Sequence, residues 1–265
     1  MIVTRRLTSA TIPMAEASAI APLSSPSGPR PGLSSVLQRL EGPLAGRLRS
    51  GRELASSAVH DEPRAAPWSI ALPGLASLLP GGLPRGELIE LTAGRSSGRF
   101  ACALMLLAAA TSAGENAALI DLGDALDPQS AAPAGIDWSR LLWARPRAVR
   151  EALAATEAAL TGGLPLVILD LGLPPLPGGR GAEAMWLRLA RSARQHDTLL
   201  VVASPYRVAG PAASTVLELT RGRALWSGTG SAPRLLEGAD GRLTLTKGHR
   251  LLAPQAQALR LALPA

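Results

Sequence analysis

Several residue types that proteins use for catalysis or metal binding are scarce in this chain of 265 residues. It contains one cysteine, Cys102, and three histidines, His60, His196 and His249. A single cysteine excludes an internal disulfide and any zinc site built from several cysteines, and the histidines lack the spacing of a metal pair. We therefore expect no bound metal, no metal catalysis, and a reducing cytoplasm as the compartment.

Aromatic residues and lysine are also rare. Aromatics make up 3% of the chain, so its core must consist mainly of Leu, Val, Ile and Ala. Lys247 is the only lysine, so the net charge of +7 and the isoelectric point of about 11.1 come almost wholly from arginine. This excess either favours contact with nucleic acid or an acidic protein surface, or is a solvated arginine-for-lysine bias.

Long apolar runs are absent as well. The longest, residues 101–110, is far too short to cross a membrane. We therefore expect a cytoplasmic protein that has no membrane partner.

The chain divides into five predicted segments. Residues 1–32 are rich in Ser, Pro and Ala without periodicity, which indicates a disordered head. Residues 33–56 contain an amphipathic helix, which packs either on the chain's own core or on a partner. A linker at 57–67 leads to the core, 68–250, and a tail follows at 251–265. The apolar stripe of the helix consists of Leu33, Val36, Leu37, Leu40, Leu44 and Leu48, with Arg47 and Arg49 among its arginines.

The core has the rhythm of an α/β protein. Its predicted strands are 87–92, 116–122, 164–170 and 198–203, and its predicted helices are 100–112, 147–160 and 182–195. This alternation predicts a mainly parallel central sheet with helices on both faces. Short segments separated by glycines follow and predict an antiparallel edge. These segments are 215–220, 224–227, 234–237 and 243–247.

A glycine-rich turn joins the first strand to the first helix. Such a turn is the setting for a phosphate-binding loop of the form G-x-x-x-x-G-K-[ST]. The segment reads Ala93, Gly94, Arg95, Ser96, Ser97, Gly98, Arg99 and Phe100. Only Gly98 matches the pattern, because alanine replaces the first glycine, arginine the lysine, and phenylalanine the hydroxyl that holds magnesium. Taken alone, the pattern favours a turn that caps a helix.

The surrounding segments change that interpretation. Several segments resemble the bacterial recombinase family RecA in order and spacing: residues 79–91, Ser96-Ser97-Gly98, 119–121, 125–128, 135–137, 141–142 and the strand 166–170. The resemblance covers about residues 33–250 and is most specific over 79–170. Among RecA relatives, the chain looks most like the ImuA family, accessory proteins of damage-inducible (SOS) mutagenesis. The resemblance implies a RecA-like core of the P-loop NTPase type.

The resemblance also implies that the ATP site is degenerate. Asp170 takes the place of the Walker B acid, although an aspartate at a strand end is also an ordinary helix cap. Gly123 stands where RecA has the glutamate that activates water, and Asp124 replaces it only through a register shift. Ser204-Pro205-Tyr206 stands at the γ-phosphate sensors of RecA. We therefore expect an inactive ATPase fold without a cofactor, because several cooperating groups are altered together.

The segments that match the DNA-binding loops of RecA are short. They span residues 171–181 and 204–214, and Tyr206 is the one aromatic near the second. Because single-strand binding relies on stacking aromatics and long basic grooves, we expect DNA contact to be weak and salt-sensitive at most.

The resemblance implies a non-catalytic accessory protein of translesion synthesis. Its implied partners are RecA, an ImuB-type polymerase homologue and an error-prone replicative-type polymerase, and its implied effect is to inhibit or cap RecA filaments. The amphipathic helix is the implied partner element. The alternatives are a weak ATPase with a divergent loop, in which Arg99 serves for lysine, and a nucleic-acid-binding protein that acts through its arginines.

Overall fold

The structure is a computed structural model that describes residues 67–68, 74–172, 182–228, 234–248 and 253–262. All of these residues belong to one unit, which spans Glu62–Ala265. The predicted head, the amphipathic helix and nearly all of the linker lie outside the described residues. The segmentation of the N-terminal part therefore stays a prediction.

One eight-stranded sheet runs through the described residues, and its strands are neighbours in the order β3-β2-β4-β5-β1-β6-β7-β8. The strands from β3 to β6 are parallel, and β6, β7 and β8 pair antiparallel. The expected parallel sheet with an antiparallel edge is confirmed. The strands are β1 (Leu88–Ala93), β2 (Ala117–Asp121), β3 (Leu141–Ala144), β4 (Leu166–Asp170), β5 (Leu199–Ser204), β6 (Thr215–Ser227), β7 (Leu235–Lys247) and β8 (Gln255–Ala262).

Helices cover both faces of the parallel part of the sheet, as expected. One face carries α2, and the other carries α4 and α5. None of the helices in the described ranges is long and apolar enough to cross a membrane. The helices are α1 (Leu75–Leu78), α2 (Arg99–Ser112), α3 (Pro128–Ala131), α4 (Val149–Thr161) and α5 (Ala182–Gln195), and short 3-10 turns lie at Ala132–Ala134, Trp138–Arg140 and Gly210–Ala212.

The apolar strands contribute side chains to two hydrophobic cores, one on each face of the sheet. In β4, Leu166 and Ile168 point to the α2 side, while Val167 and Leu169 point to the α4 and α5 side. Side chains alternate along a strand, so a strand buried on both faces needs an unbroken apolar run. The central position of these strands follows directly from their sequence.

The glycines of the antiparallel edge were interpreted as turns, but most lie inside strands. The four predicted short strands are two long ones, β6 and β7, with register shifts near Arg221 and Leu225. A Cβ at Gly222 would lie 2.7 Å from the carbonyl oxygen of Asp240. Glycine is thus needed there for close backbone approach, which sequence spacing does not distinguish from a turn.

Two strands were not predicted. The short edge strand β3 has only four residues, and Leu142 on it is 54% exposed, so it carries no strong apolar pattern. The segment 251–265 was predicted as a tail beyond the core, but β8 pairs with β7 across Gly238–Leu245 and buries Leu259. The sheet therefore extends past the predicted core boundary at residue 250.

Candidate functional site

The glycine-rich loop lies between the end of a central strand and the start of a helix. Ala93 is the last residue of β1, where it is buried and pairs with Leu219 of β6. Gly98 precedes α2 with φ 86°, a left-handed conformation that favours glycine. Leu261 of β8 packs on this glycine, because a Cβ added to Gly98 would lie 2.4 Å from the Leu261 Cδ1 atom. The strand, turn and helix predicted around the loop are present.

Arg99, at the position of the phosphate-binding lysine, turns its guanidinium inward. Its Nη2 donates to the Asp170 Oδ1 at 3.3 Å and to the carbonyl oxygen of Gly172 at 2.9 Å. Its Nη1 donates to the carbonyl oxygen of Ala93 at 3.3 Å. The side chain is 10% exposed, and its Nε has no hydrogen-bond partner among the described residues. Arg99 therefore ties the end of β1 to the end of β4.

Asp170, the Walker-B-like acid, is almost completely buried against this arginine. Burial raises the pKa of Asp170 above its ordinary value, although the charge of Arg99 and the amide of Gly172 lower it. The carboxylate is 1% exposed, so its interaction with Arg99 is little screened by water. Removing one member of such a pair leaves an uncompensated buried charge, which is strongly destabilising.

Gly123, which was predicted to stand at the position of a water-activating glutamate, lies close to the chain that follows β4. A Cβ at this residue would lie 2.8 Å from the Cα of Gly172 and 3.2 Å from the Oδ2 of Asp170. The first of these neighbours is backbone and cannot rotate away. A larger residue at 123 therefore has to displace the segment that Arg99 holds.

Asp121 shapes the turn that places Gly123, and no role was predicted for it. Its Oδ1 accepts from the amide of Ala125 at 2.9 Å, and its Oδ2 accepts from the amide of Leu126 at 3.0 Å. The side chain is completely buried at the end of β2. An acid at the end of an apolar strand before a glycine turn was the available signal, since such acids often bind the amides of the next turn.

Asp124, which was considered as a substitute acid, points elsewhere. Its carboxylate accepts from the Nε of Arg145 at 2.7 Å and from its Nη2 at 3.0 Å. The hydrogen bond from Arg145 lowers the pKa of Asp124 below its ordinary value. Asp124 does not line the cleft beside the loop, so this geometry does not support the register-shift alternative.

An open cleft of about 410 Å³ lies beside the glycine-rich loop. Phe100 lines this cleft and also packs against the core on the α2 side. Asp170 is the one acid on the wall of the cleft in the described part of the chain. The cleft is lined by residues 94–101 and by Leu122, Gly123, Ala125, Asp170 and Gly172.

The segment that follows β5 was predicted to match a DNA-binding loop that is longer in RecA. In this chain, two side chains hold the segment against the sheet. Glu90 of β1 is fully buried and accepts from the amides of Val208 and Ala209. The Nζ of Lys247 donates to the carbonyl oxygens of Gly210 and Pro211, at 3.2 and 3.4 Å. Sequence reasoning missed both anchors. The only lysine of the chain holds this segment and not the glycine-rich loop.

Comparisons with known proteins bear on this arrangement. Residues 67–174 match the family model of the RecA N-terminal domain. Over 91 residues, the chain is 40% identical to the RecA protein of Kineococcus radiotolerans and 41% identical to that of Mycobacterium ulcerans. Each match covers 34% of this chain and 26% of the RecA protein. The chain thus matches about a quarter of the length of these relatives.

A solved structure extends the likeness beyond the matched segment. The crystal structure of the RadB recombinase aligns with a TM-score of 0.56 and 17% identity, over 74% of this chain and 96% of that one. The chain has a RecA-like core. The sequence and structure matches together support its placement in the RecA-like recombinase superfamily. The sequence match to the RecA N-terminal domain ends at residue 174. Beyond it, the chain is similar to the RadB structure in fold alone.

The buried pair of Arg99 and Asp170 is testable by a double-mutant cycle. Arg99→Met and Asp170→Asn should each lower the free energy of unfolding by about 3 to 5 kcal/mol, because each leaves its partner buried without a counter-charge. The double variant should lose clearly less than the sum. Urea denaturation of all four proteins measures these values. Arg145→Met with Asp124→Asn is the exposed control pair and should show little coupling; additive losses for the buried pair would contradict our description.

A glutamate placed at residue 123 should destabilise the RecA-like core. Gly123→Glu brings a Cβ within 2.8 Å of backbone, so we expect a loss of about 1 to 3 kcal/mol from overpacking. Gly81→Glu is the matched control, because Gly81 has open space around it and no positive φ. Thermal unfolding of both variants measures the difference. An unchanged Tm for Gly123→Glu would show that the end of β4 yields easily.

Proposed function

We propose that this chain is a non-catalytic accessory protein of damage-induced mutagenesis, of the ImuA type, which works by binding other proteins. The observation that carries the proposal is the internal use of Arg99. The cation at the phosphate-binding position is held by Asp170 and by two backbone carbonyl groups of the chain itself. A guanidinium in those contacts has to leave all three before it reaches a phosphate.

The residues at the loop do not fit a complex of magnesium with a nucleoside triphosphate. NTP hydrolysis in P-loop NTPases uses a lysine on the phosphates, a hydroxyl on the metal and a group that orients water. Here Phe100 offers no oxygen, Gly123 offers no side chain, and Asp170 is already bound to Arg99. These contacts support an inactive ATPase fold, and we derive no reaction step through a nucleotide.

The proposed partners are RecA itself, an ImuB-type polymerase homologue and an error-prone replicative-type polymerase. Identity of about 40% to RecA proteins in the matched segment supports a chain that shares surface features with RecA protomers. We propose that it associates with RecA in the cytoplasm near the nucleoid and inhibits or caps RecA filaments. The fastened segment after β5 supports the expectation that DNA contact is weak and salt-sensitive.

Nucleotide binding by a divergent loop is the second candidate. The open cleft beside the loop favours it, since there is room for a ligand between residues 94–101 and Asp170. In that case Arg99 would exchange its carbonyl partners for phosphate oxygens.

Calorimetry with Mg-ATP separates the two candidates. We expect no heat of binding and no phosphate release from the full chain. Arg99→Lys should not restore either, because Phe100 still supplies no metal ligand. Magnesium-dependent turnover by the full chain would overturn the proposal, and binding without turnover would favour the second candidate.

Association with purified RecA tests the partner proposal. Removing residues 1–56 should weaken RecA binding and abolish inhibition of RecA-driven strand exchange, while Tm stays unchanged. Leu37→Ala with Leu40→Ala should weaken binding by about 2 kcal/mol or more, as is common for apolar anchors at an interface. Leu23→Ala, outside the apolar stripe, is the control. Full inhibition by the shortened chain would place the contact elsewhere, and a melted core would assign the helix to the chain's own structure.

A further inference from the structure

The hairpin of β6 and β7 continues beyond the sheet as a two-stranded ribbon. β1 pairs with β6 only as far as Leu219, and β8 pairs with β7 only as far as Gly238. The ribbon consists of residues 224–227 of β6, which pair with residues 235–239 of β7. Among the described residues, β8 pairs with this ribbon only at its base, at Gly238 and Ala239.

Three large apolar side chains stand exposed on this ribbon. Trp226 is 54% exposed, Leu235 71% and Leu236 42%. Trp226 and Leu236 are opposite each other across the two strands, so they share one face. Exposed apolar groups clustered at one projection, and rimmed by polar residues, mark an interaction surface more often than chance exposure does.

The charge around the ribbon is positive. Arg221, Arg223, Arg234 and Arg242 are all exposed, and none forms an ion pair with another described residue. Two acids lie nearby: Glu237 on the ribbon itself is exposed, and Asp240 is bound to Arg260 at 2.8 Å. Four exposed arginines against one exposed glutamate leave the hairpin around the ribbon positively charged, so that it suits an acidic partner.

We infer that the ribbon is a docking element for an acidic protein surface with an apolar hollow that accepts Trp226 and Leu236. This deepens the proposed function, on which it rests for the premise that the chain works through protein partners. A second copy of this chain, with a net charge of +7, is disfavoured by repulsion, and so is the arginine-bearing segment 33–56.

The side chains rather than the backbone would carry this contact. Register shifts near Arg221 and Leu225 disturb the edge of β6, and bulges and charged residues oppose the addition of another strand. Single-stranded nucleic acid fits less well, because it binds through stacked aromatic rings and one of the two anchors is a leucine. A protein surface uses both tryptophan and leucine as buried anchors.

Two matched peptides test the inference on the full chain. The first is an amphipathic helical peptide with a leucine face and a glutamate face, and the second differs only by lysine in place of glutamate. Fluorescence anisotropy should show saturable binding of the glutamate peptide and at least about tenfold weaker binding of the lysine peptide, because the rim of the ribbon is positive.

Variants locate the binding. The double variant Trp226→Ser with Leu236→Ser should bind the glutamate peptide at least about tenfold more weakly, because it loses the two central anchors. Trp138→Ser, which removes another exposed tryptophan, should leave binding unchanged. Charge reversal of Arg221 and Arg234 to glutamate is an independent variant and should also weaken binding of the glutamate peptide, whereas Arg150→Glu, the control, should leave it unchanged. All these residues are exposed, so Tm should not move.

Three outcomes would overturn the inference. They are equal binding of the two peptides, unchanged binding by the ribbon variants, and oligothymidine binding that the ribbon variants abolish while the glutamate peptide does not bind. The last would make the ribbon a nucleic-acid surface. If the glutamate peptide does not bind, the result of calorimetry with Mg-ATP is unaffected. Conversely, magnesium-dependent turnover would overturn the proposed function without changing peptide binding.

Discussion

A buried cation has to be compensated, and this requirement governs the region around the glycine-rich loop. Arg99 begins α2, yet its guanidinium reaches the end of β1, the end of β4 and the second residue after β4. Three elements that are separate in sequence thus meet at one charged group. Exchanging the lysine of the common pattern for arginine does more than alter a ligand contact, because the planar fork binds carboxylate and carbonyl oxygens simultaneously.

The glycine at 123 belongs to the same arrangement. The segment after β4 that Arg99 holds leaves no room for a Cβ at that residue. Asp121 holds the turn in place from the other side by accepting two amides. Arg99 and Gly123 are therefore linked through the backbone of Gly172, which accepts a hydrogen bond from Arg99 and lies too close for a Cβ at residue 123. In the proposed function, these contacts give the glycine-rich loop a structural role in place of nucleotide binding.

The antiparallel edge closes the α2 side of the core and also extends beyond it. Leu243, Leu245 and Leu259 join the same apolar cluster as Cys102 and Leu106 of α2. Past the ends of β1 and β8, the same two strands continue without neighbours and expose Trp226 and Leu236. One hairpin thus completes the core and presents a surface. This division suits a protein that we propose to act by contact.

Local patterns in the sequence determined the apolar parallel strands β1, β2, β4 and β5 and the helices α2, α4 and α5. The apolar run at 166–170 indicates a strand that is buried on both faces, since such a pattern depends only on near neighbours. The loop departs from the phosphate-binding pattern at Ala93, Arg99 and Phe100, which is also legible without a structure. Tertiary structure alone decided where Arg99 points, that Asp124 pairs with Arg145, and that Gly222 lies within a strand. Those outcomes depend on residues far apart in the chain, and their distances are set only when the sheet brings the strand ends together.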